Sequence, residues 1–279
     1  MAVTIAVVAP GAMGSAVGAR LVGRGARVLT SVAGRSAATV ARAEAAGMET
    51  ASDEAIAAAD IILSIVPPNE ALPLAARLAA AIGRVESSPI YVDLNAINPV
   101  TARALGAALS GCRAIYLDGT IIGLPPMPDG VGPTFYLAGE SGNAAATLAG
   151  LGLVVKTLAG GIGAASALKM TYGGMTKGLT ALASAMILAA QREGAAEALA
   201  AELGASQKEM FARLARSVPD MLPKAYRWVP EMEEIAAFLG EDDPASGIYT
   251  AMARFYERIA ADDGVLGGEL KGFFASGSK

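Results

Sequence analysis

Residues 3–8 read V-T-I-A-V-V, a run with no alternation of polar and apolar positions, and five of the six are β-branched. Such a run predicts a strand buried on both faces, as in a parallel sheet. Pro10 and Gly11 end it, and small, helix-favouring residues continue over 12–24. The same order of strand, turn and helix then recurs. Strands are predicted at 26–32, 48–50, 61–66, 90–93, 113–118, 135–138 and 153–156. Between them lie helices at 36–46, a short one capped by Ser52, one over 70–82, one ending near Leu109 and one ending near Leu151. Alternation of this kind implies right-handed crossovers and a mostly parallel, doubly wound sheet.

Beyond Gly163 the period-2 signal disappears and only helical spacing remains. Residues 164–192 form one predicted helix of 29 residues, about 43 Å long at ~1.5 Å per residue. It carries Gly173, Gly174 and Gly178, each costing roughly 1 kcal/mol in a helix interior, which suggests that another backbone or a cofactor comes close there. Later helices are expected to break at Gly194, Gly204, Pro219, Pro223 and Pro244. The chain is therefore expected to hold an α/β Rossmann domain, residues 1–160, followed by an all-α domain, residues 161–279, with the long helix at the junction.

Composition narrows the chemistry. With 53% hydrophobic and 17% charged residues among 279, there is material for a large core. A net charge of −4 gives no basic footprint for nucleic acid or an anionic membrane surface. The longest apolar run of the helical half is too short to span a bilayer. The single cysteine, Cys112, excludes an internal disulfide and fits a reducing compartment, and nothing near residue 1 resembles a signal peptide; a cytoplasmic protein is expected. Histidine is absent altogether, which removes imidazole bases, histidine-ligated zinc and Ser-His-Asp triads; no metal site is expected. Proton transfer falls to Lys, Tyr, Asp, Glu or a cofactor.

The turn after the first strand reads Ala9, Pro10, Gly11, Ala12, Met13, Gly14. It matches a dinucleotide fingerprint G-x-G-x-x-G except that Ala9 replaces the first glycine. Glycines let the backbone approach a pyrophosphate, and the N–H groups that open the helix receive it. At the end of the second strand, where an acid selects NAD, there is none between Gly25 and Thr39; Arg35 stands there with Ser31 and Ser36, which favours NADP. Val66 and Pro67 end the fourth strand on the side where ligands lie, and Asn95 follows the fifth, as a ligand contact or as a turn or helix cap.

This order of motifs resembles the β-hydroxyacid dehydrogenase superfamily, which contains 3-hydroxyisobutyrate, tartronate semialdehyde and 6-phosphogluconate dehydrogenases. The resemblance runs from the Met13-Gly14 fingerprint through Val66-Pro67, the Asp93-Leu94-Asn95 turn and an Asp118 to Gly123 turn to a lysine early in the long helix. It implies that Lys169 is the general acid and base at a substrate oxygen. Where the family has an asparagine four residues on, this chain has Gly173, and Tyr172 shares the helix face of Lys169. The family's D-A-P-V-S-G-G turn, whose Ser and Gly bind a substrate carboxylate, is here Asp118-Gly119-Thr120-Ile121-Ile122-Gly123-Leu124. Thr120, Ile122 and Gly123 are thus candidate substrate contacts, with no hydroxyl at Ile122. A late K-D-L element is Glu233-Glu234-Ile235.

The resemblance implies an NADP(H)-dependent oxidoreductase moving hydride between the nicotinamide and a carbonyl or hydroxyl carbon of a small, hydroxy-acid-like molecule. The departures favour a bulkier or less charged carbonyl over a simple short acid. An imine reductase of the same architecture and a non-catalytic NADP-binding protein are the alternatives, and retention of Lys169 argues against the first. Pairing of two copies through the helical domain is expected.

Overall fold

A computed structural model describes residues 2–127, 130–140 and 142–276. The chain forms two compact units, Met1–Lys169 and Met170–Lys279. The first unit runs β1 (Thr4–Val8), α1 (Ala12–Gly23), β2 (Arg27–Thr30), α2 (Ala37–Ala45), β3 (Glu49–Thr50), α3 (Asp53–Ala57), β4 (Ile61–Ser64) and α4 (Pro68–Ile82). It continues with β5 (Ile90–Asp93), α5 (Pro99–Leu109), β6 (Ile115–Ile122), β7 (Thr134–Ala138), α6 (Ala144–Gly150) and β8 (Val154–Leu158). The eight strands form one sheet in the order β3-β2-β1-β4-β5-β6-β7-β8. Every neighbouring pair is parallel except β6 with β7.

The uninterrupted apolar runs are explained by cores on both faces of the sheet. Ile5 and Val7 of β1 join one core with Ile61, Leu63 and Val92, while Ala6 and Val8 join the other with Ile62 and Tyr91. Alternate residues of one strand thus serve opposite faces. Ser52 caps α3 as expected, accepting a hydrogen bond from the Ala55 amide.

One expected turn is not a turn. Residues 118–122 continue β6, paired with β7 in the register Asp118 to Ala138 through Ile122 to Thr134. An Asp-Gly pair in a strand is unusual, and close packing accounts for it. A Cβ on Gly119 would lie 2.7 Å from the Asp93 carbonyl oxygen of β5. The connection between β6 and β7 holds no helix among its described residues, so the chain returns as an antiparallel pair rather than through a crossover.

Asp118 also fixes where the next helix begins. Its Oδ2 accepts from the backbone N–H groups of Gly163, Ala165 and Ser166 at 2.8, 2.8 and 3.2 Å, and its Oδ1 from the Ser166 hydroxyl at 2.6 Å. A carboxylate at a helix N-terminus satisfies donors that have no partner within the helix and complements its dipole. Here the helix is α7 (Ala164–Arg192), and its first residues, through Lys169, belong to the first unit.

The second unit holds the rest of α7 with α8 (Ala196–Ser206), α9 (Lys208–Met221), α10 (Ala225–Leu239), α11 (Pro244–Ala260) and α12 (Val265–Ser276). Its core includes Val218, Met221, Met232, Tyr256 and Leu270, all fully buried. Two expected breaks do not occur: Gly204 lies within α8 and Pro219 in the last turn of α9. A lone glycine costs a helix only about 1 kcal/mol, and a proline near a C-terminus removes a single backbone hydrogen bond. The glycines of α7 admit side chains from their own unit: a Cβ on Gly174 would lie 2.9 Å from the Tyr249 hydroxyl, and one on Gly173 would meet Ile235 at 3.8 Å. Among the described residues no helix is long and apolar enough to cross a membrane.

Replacing Asp118 with alanine strands its buried donors, and the expected cost is about 3–5 kcal/mol. That corresponds to a fall on the order of 10 °C in the unfolding midpoint. Calorimetry of D118A checks this; a midpoint within about 2 °C of the parent would mean that other contacts hold the start of α7.

Candidate dinucleotide and substrate site

The C-terminal ends of β1, β2, β4, β5 and β6 carry most of the residues singled out from the sequence. Between β1 and α1 the backbone folds back on itself, with Gly11 N–H donating to the Ala9 carbonyl at 2.9 Å and Ser15 Oγ donating to the Gly11 carbonyl at 2.8 Å. Gly11 caps α1 in an extended conformation, with no side chain accepting from the helix and no acidic residue in its first turn. The N–H groups opening α1, at Ala12, Met13 and Gly14, therefore meet no capping side chain. A Cβ on Gly11 would meet nothing within 4 Å, so its backbone is open to a close approach. An uncapped helix start with an open glycine fits a pyrophosphate.

Past β2, Ser31 is buried while Arg35 and Ser36 are exposed. Ser36 and Thr39 share a hydrogen bond of 3.1 Å. Arg42 then donates to Thr39 Oγ1 at 2.7 Å and to the Pro10 carbonyl at 3.4 Å, which ties α2 to the phosphate turn. A groove of about 110 Å³ brings Arg35 together with Val66 and adds Glu70, Pro73, Leu74 and Arg77 from α4. Arg77 is oriented by Asp53, Nε to Oδ2 3.2 Å. Sequence reading missed Arg42, Glu70 and Arg77, because their nearness to the ribose end comes from helix packing rather than from any local motif.

At the end of β4 the half-buried Val66 donates its N–H to Asn95 Oδ1 at 2.6 Å. Asn95 Nδ2 donates to Ser64 Oγ at 2.9 Å and to Asp93 Oδ1. Asn95 is almost fully buried and joins the ends of β4 and β5. The helix cap is Asn98, whose side chain accepts from the N–H groups of Val100 and Thr101. Burial pushes the Asp93 carboxyl up to about 8, with Asp118 adding to the rise and hydrogen bonds from Asn95 opposing it. Burial likewise raises the Tyr91 and Tyr116 hydroxyls above their usual range.

On β6, Thr120 is fully buried and its hydroxyl has no hydrogen-bond partner. Ile122 is half-buried and Gly123 exposed. Lys169, half-buried on the first turns of α7, donates from Nζ to the Ile121 carbonyl at 2.7 Å. The structure therefore brings Lys169 to the β6 segment that holds Thr120 and Ile122. Tyr172 and Gly173 belong to the second unit; Tyr172 is 49% exposed and Gly173 is buried against Ile235. No group of three metal-ligating side chains is found among the described residues.

Residues 4–126 match the family described as the NAD binding domain of 6-phosphogluconate dehydrogenase, and residues 190–259 match a domain of unknown function, DUF1932. No curated protein matches the chain. Among solved structures, a conserved protein of unknown function, described as structurally similar to 3-hydroxyacid dehydrogenases, aligns over 100% of both chains at 26% identity and a TM-score of 0.73. A conserved hypothetical protein from Sinorhizobium meliloti aligns over 99% of this chain and 96% of its own, at 26% identity and a TM-score of 0.70. A 3-hydroxyisobutyrate dehydrogenase from Mycobacterium tuberculosis, solved with L-serine, shares the fold over 100% of both chains at 18% identity and a TM-score of 0.73. Residues 4–126 are thus an NAD-binding domain of the 6-phosphogluconate dehydrogenase type, followed by a DUF1932 region, in a chain that shares the fold of 3-hydroxyisobutyrate dehydrogenase.

Proposed function

We propose that this chain is an NADP(H)-dependent oxidoreductase that interconverts a carbonyl and a hydroxyl on a small, hydroxy-acid-like organic substrate, with Lys169 as general acid and base. The observation that carries the reading is the placement of Lys169 Nζ 2.7 Å from the Ile121 carbonyl, on the strand segment holding Thr120 and Ile122. In reduction the ammonium donates a proton to the substrate oxygen as negative charge develops there. In oxidation the neutral amine withdraws the hydroxyl proton. A bound nicotinamide dinucleotide supplies the two-electron half of the reaction.

For that group, the N–H donors of Ala12, Met13 and Gly14 receive the pyrophosphate, with the open backbone of Gly11 beside them. Arg35 and Ser36, with Ser31 behind them, receive the 2′-phosphate, and Val66, Pro67 and Asn95 border the nicotinamide side. Glu70 lines the same groove as Arg35, but Arg77 is there as well, so cations outnumber acids. A guanidinium suits the planar, bidentate recognition of phosphate. On the substrate side the Thr120 hydroxyl lies buried beneath the lining, and Ile122 offers only surface and backbone. A bulkier or less charged carbonyl than a short hydroxy acid suits this lining.

Pairing of two copies through the second unit belongs to the same reading. Met175, Leu182 and Met186 follow one stripe of α7 and are 76%, 53% and 55% exposed. A contiguous exposed apolar stripe marks an interaction face. A cytoplasmic setting is also part of it, in keeping with the free thiol of Cys112.

Lys169→Met is expected to lower kcat by roughly 10²–10⁴-fold while dinucleotide affinity changes less than about twofold. Full turnover by that variant would remove the assigned role, and turnover of cyclic imines but of no hydroxy or keto acid would replace the reaction. Arg35→Ala is expected to weaken NADPH binding by about 10–100-fold, the loss of a charge-assisted contact, and to leave NADH nearly unchanged. Fluorescence titration of both coenzymes decides it, and equal losses for the two would end the NADP preference. Leu182→Glu places a charge in the apolar stripe and is expected to yield monomers at micromolar concentration by sedimentation, where the parent chain is a dimer.

A further inference from the structure

Three neighbouring strands carry polar residues aligned across the sheet: Ser64 at the end of β4, Asp93 at the end of β5 and Asp118 in the middle of β6. All three are fully buried. Residues in register on parallel strands project from the same face about 4.8 Å apart, so two carboxyl groups sit side by side in a dry setting. Their partners differ sharply. Asp118 receives four hydrogen bonds from the start of α7, which match an ionised carboxylate.

Asp93 Oδ1 receives hydrogen bonds from Asn95, through its backbone N–H at 3.2 Å and its side-chain amide, and the Tyr116 hydroxyl also acts on the carboxyl as a donor. Its Oδ2 and the hydroxyls of Tyr91 and Tyr116 are buried without a well-formed hydrogen bond, although Tyr116 is close enough to the carboxyl to oppose its rise. The groups that face this carboxyl are Ser64 from β4, Tyr91 of its own strand, Tyr116 and Asp118 from β6, and Asn95 from the turn that follows. None of them is a cation. A second buried anion next to Asp118 is strongly unfavourable, whereas a proton on Oδ2 removes the repulsion and gives the tyrosine oxygens beside it a donor.

We propose that Asp93 is a positioning residue working as a neutral carboxylic acid: its protonated carboxyl holds Asn95, and Asn95 holds the Val66 amide at the β4 end that the dinucleotide meets. The consequence for binding rests on the dinucleotide reading of that strand end; the protonation does not.

The carboxyl, pushed up to about 8 in the folded chain against an ordinary value of 3.8, keeps a proton that the unfolded chain releases. Stability from this group is therefore complete below about pH 4, falls as pH rises toward about 8 and is flat beyond. Dinucleotide affinity, a property of the folded chain alone, is expected to hold up to about pH 8 and then fall by at most about tenfold per pH unit, the limit for one proton. Asp93→Asn mimics the neutral acid. It is expected to bind NADPH at neutral pH within about twofold of the parent and to lose the alkaline fall.

The test pairs NADPH titrations of the parent and D93N from about pH 6 to about pH 9.5 with infrared spectra of both, the parent carrying ¹³C-labelled aspartate. A carboxylic-acid carbonyl band at neutral pH that is absent in D93N, together with a flattened affinity profile, is the expected result. The same alkaline fall in both proteins, or ionised aspartate alone throughout the range, overturns the proposal. If neither protein binds NADPH at any pH the dinucleotide reading fails, while the infrared band still decides the state of Asp93. Should D93N not fold, the labelled parent decides alone: a band that titrates away across the range supports the neutral acid, and its absence at neutral pH overturns it.

Discussion

One buried carboxylate determines where Lys169 sits. Asp118 lies in the middle of the sheet's polar end, and its oxygens take the N–H groups of Gly163, Ala165 and Ser166 with the Ser166 hydroxyl. A buried anion is tolerable only when its lone pairs are filled by donors that cannot rotate away, and backbone N–H groups at a helix start meet that condition. The start of α7 is thereby fixed to β6. Lys169 comes three residues after Ser166, about 4.5 Å along the axis at ~1.5 Å per residue. Its reach to the Ile121 carbonyl follows from the anchor just before it, so the amine is placed by the fold rather than by its own flexible stem.

The same row of residues shows how a fold assigns different protonation states to identical side chains. Asp93 and Asp118 are neighbours in register and equally buried. Four donors surround one, while the other has a single asparagine at Oδ1 and the Tyr116 hydroxyl nearby. Sequence gives no sign of the contrast, since both read as an aspartate closing an apolar strand. What separates them is the backbone that arrives opposite. A helix start reaches Asp118, and a polar side chain reaches Asp93. Burial then raises the Asp93 carboxyl, while Asp118 has its oxygens filled by donors.

Legibility followed the range of the interactions. The strand and phosphate turn from Thr4 to Gly14 are local: an apolar run, a Pro-Gly stop and a helix start lie within one stretch of chain. The long helix was equally visible, and its bounds, Ala164–Arg192, coincide with the helical spacing. Residues 118–123 were read as a turn because the resembling family has its D-A-P-V-S-G-G turn at that place. The strand partners of Asp118 are Asp93 and Ala138, 25 and 20 positions away. Arg42 and Arg77 were invisible because they come from helices, one reaching the Pro10 carbonyl and the other the groove beside Arg35. Gly204 and Pro219 show the converse error, in which a local penalty of a few kcal/mol or less is overridden by packing.

The phosphate turn shows what its glycine pattern means sterically. Ala9 stands where the fingerprint asks for its first glycine, and no non-glycine residue among those described has a positive φ, so the side chain there is unstrained. The demand has instead collected at Gly14, where a Cβ would lie 2.1 Å from the Ala9 carbonyl oxygen. No side chain fits at that distance without moving backbone. Gly11 is constrained differently: nothing in the protein lies within 4 Å of its missing Cβ, so its lack of a side chain matters to a ligand rather than to the fold. Of three glycine positions, one is dispensable, one is required by packing and one by what the turn receives. An imperfect match can therefore leave the site intact, provided that the exchanged position is the one whose backbone any L-residue can adopt.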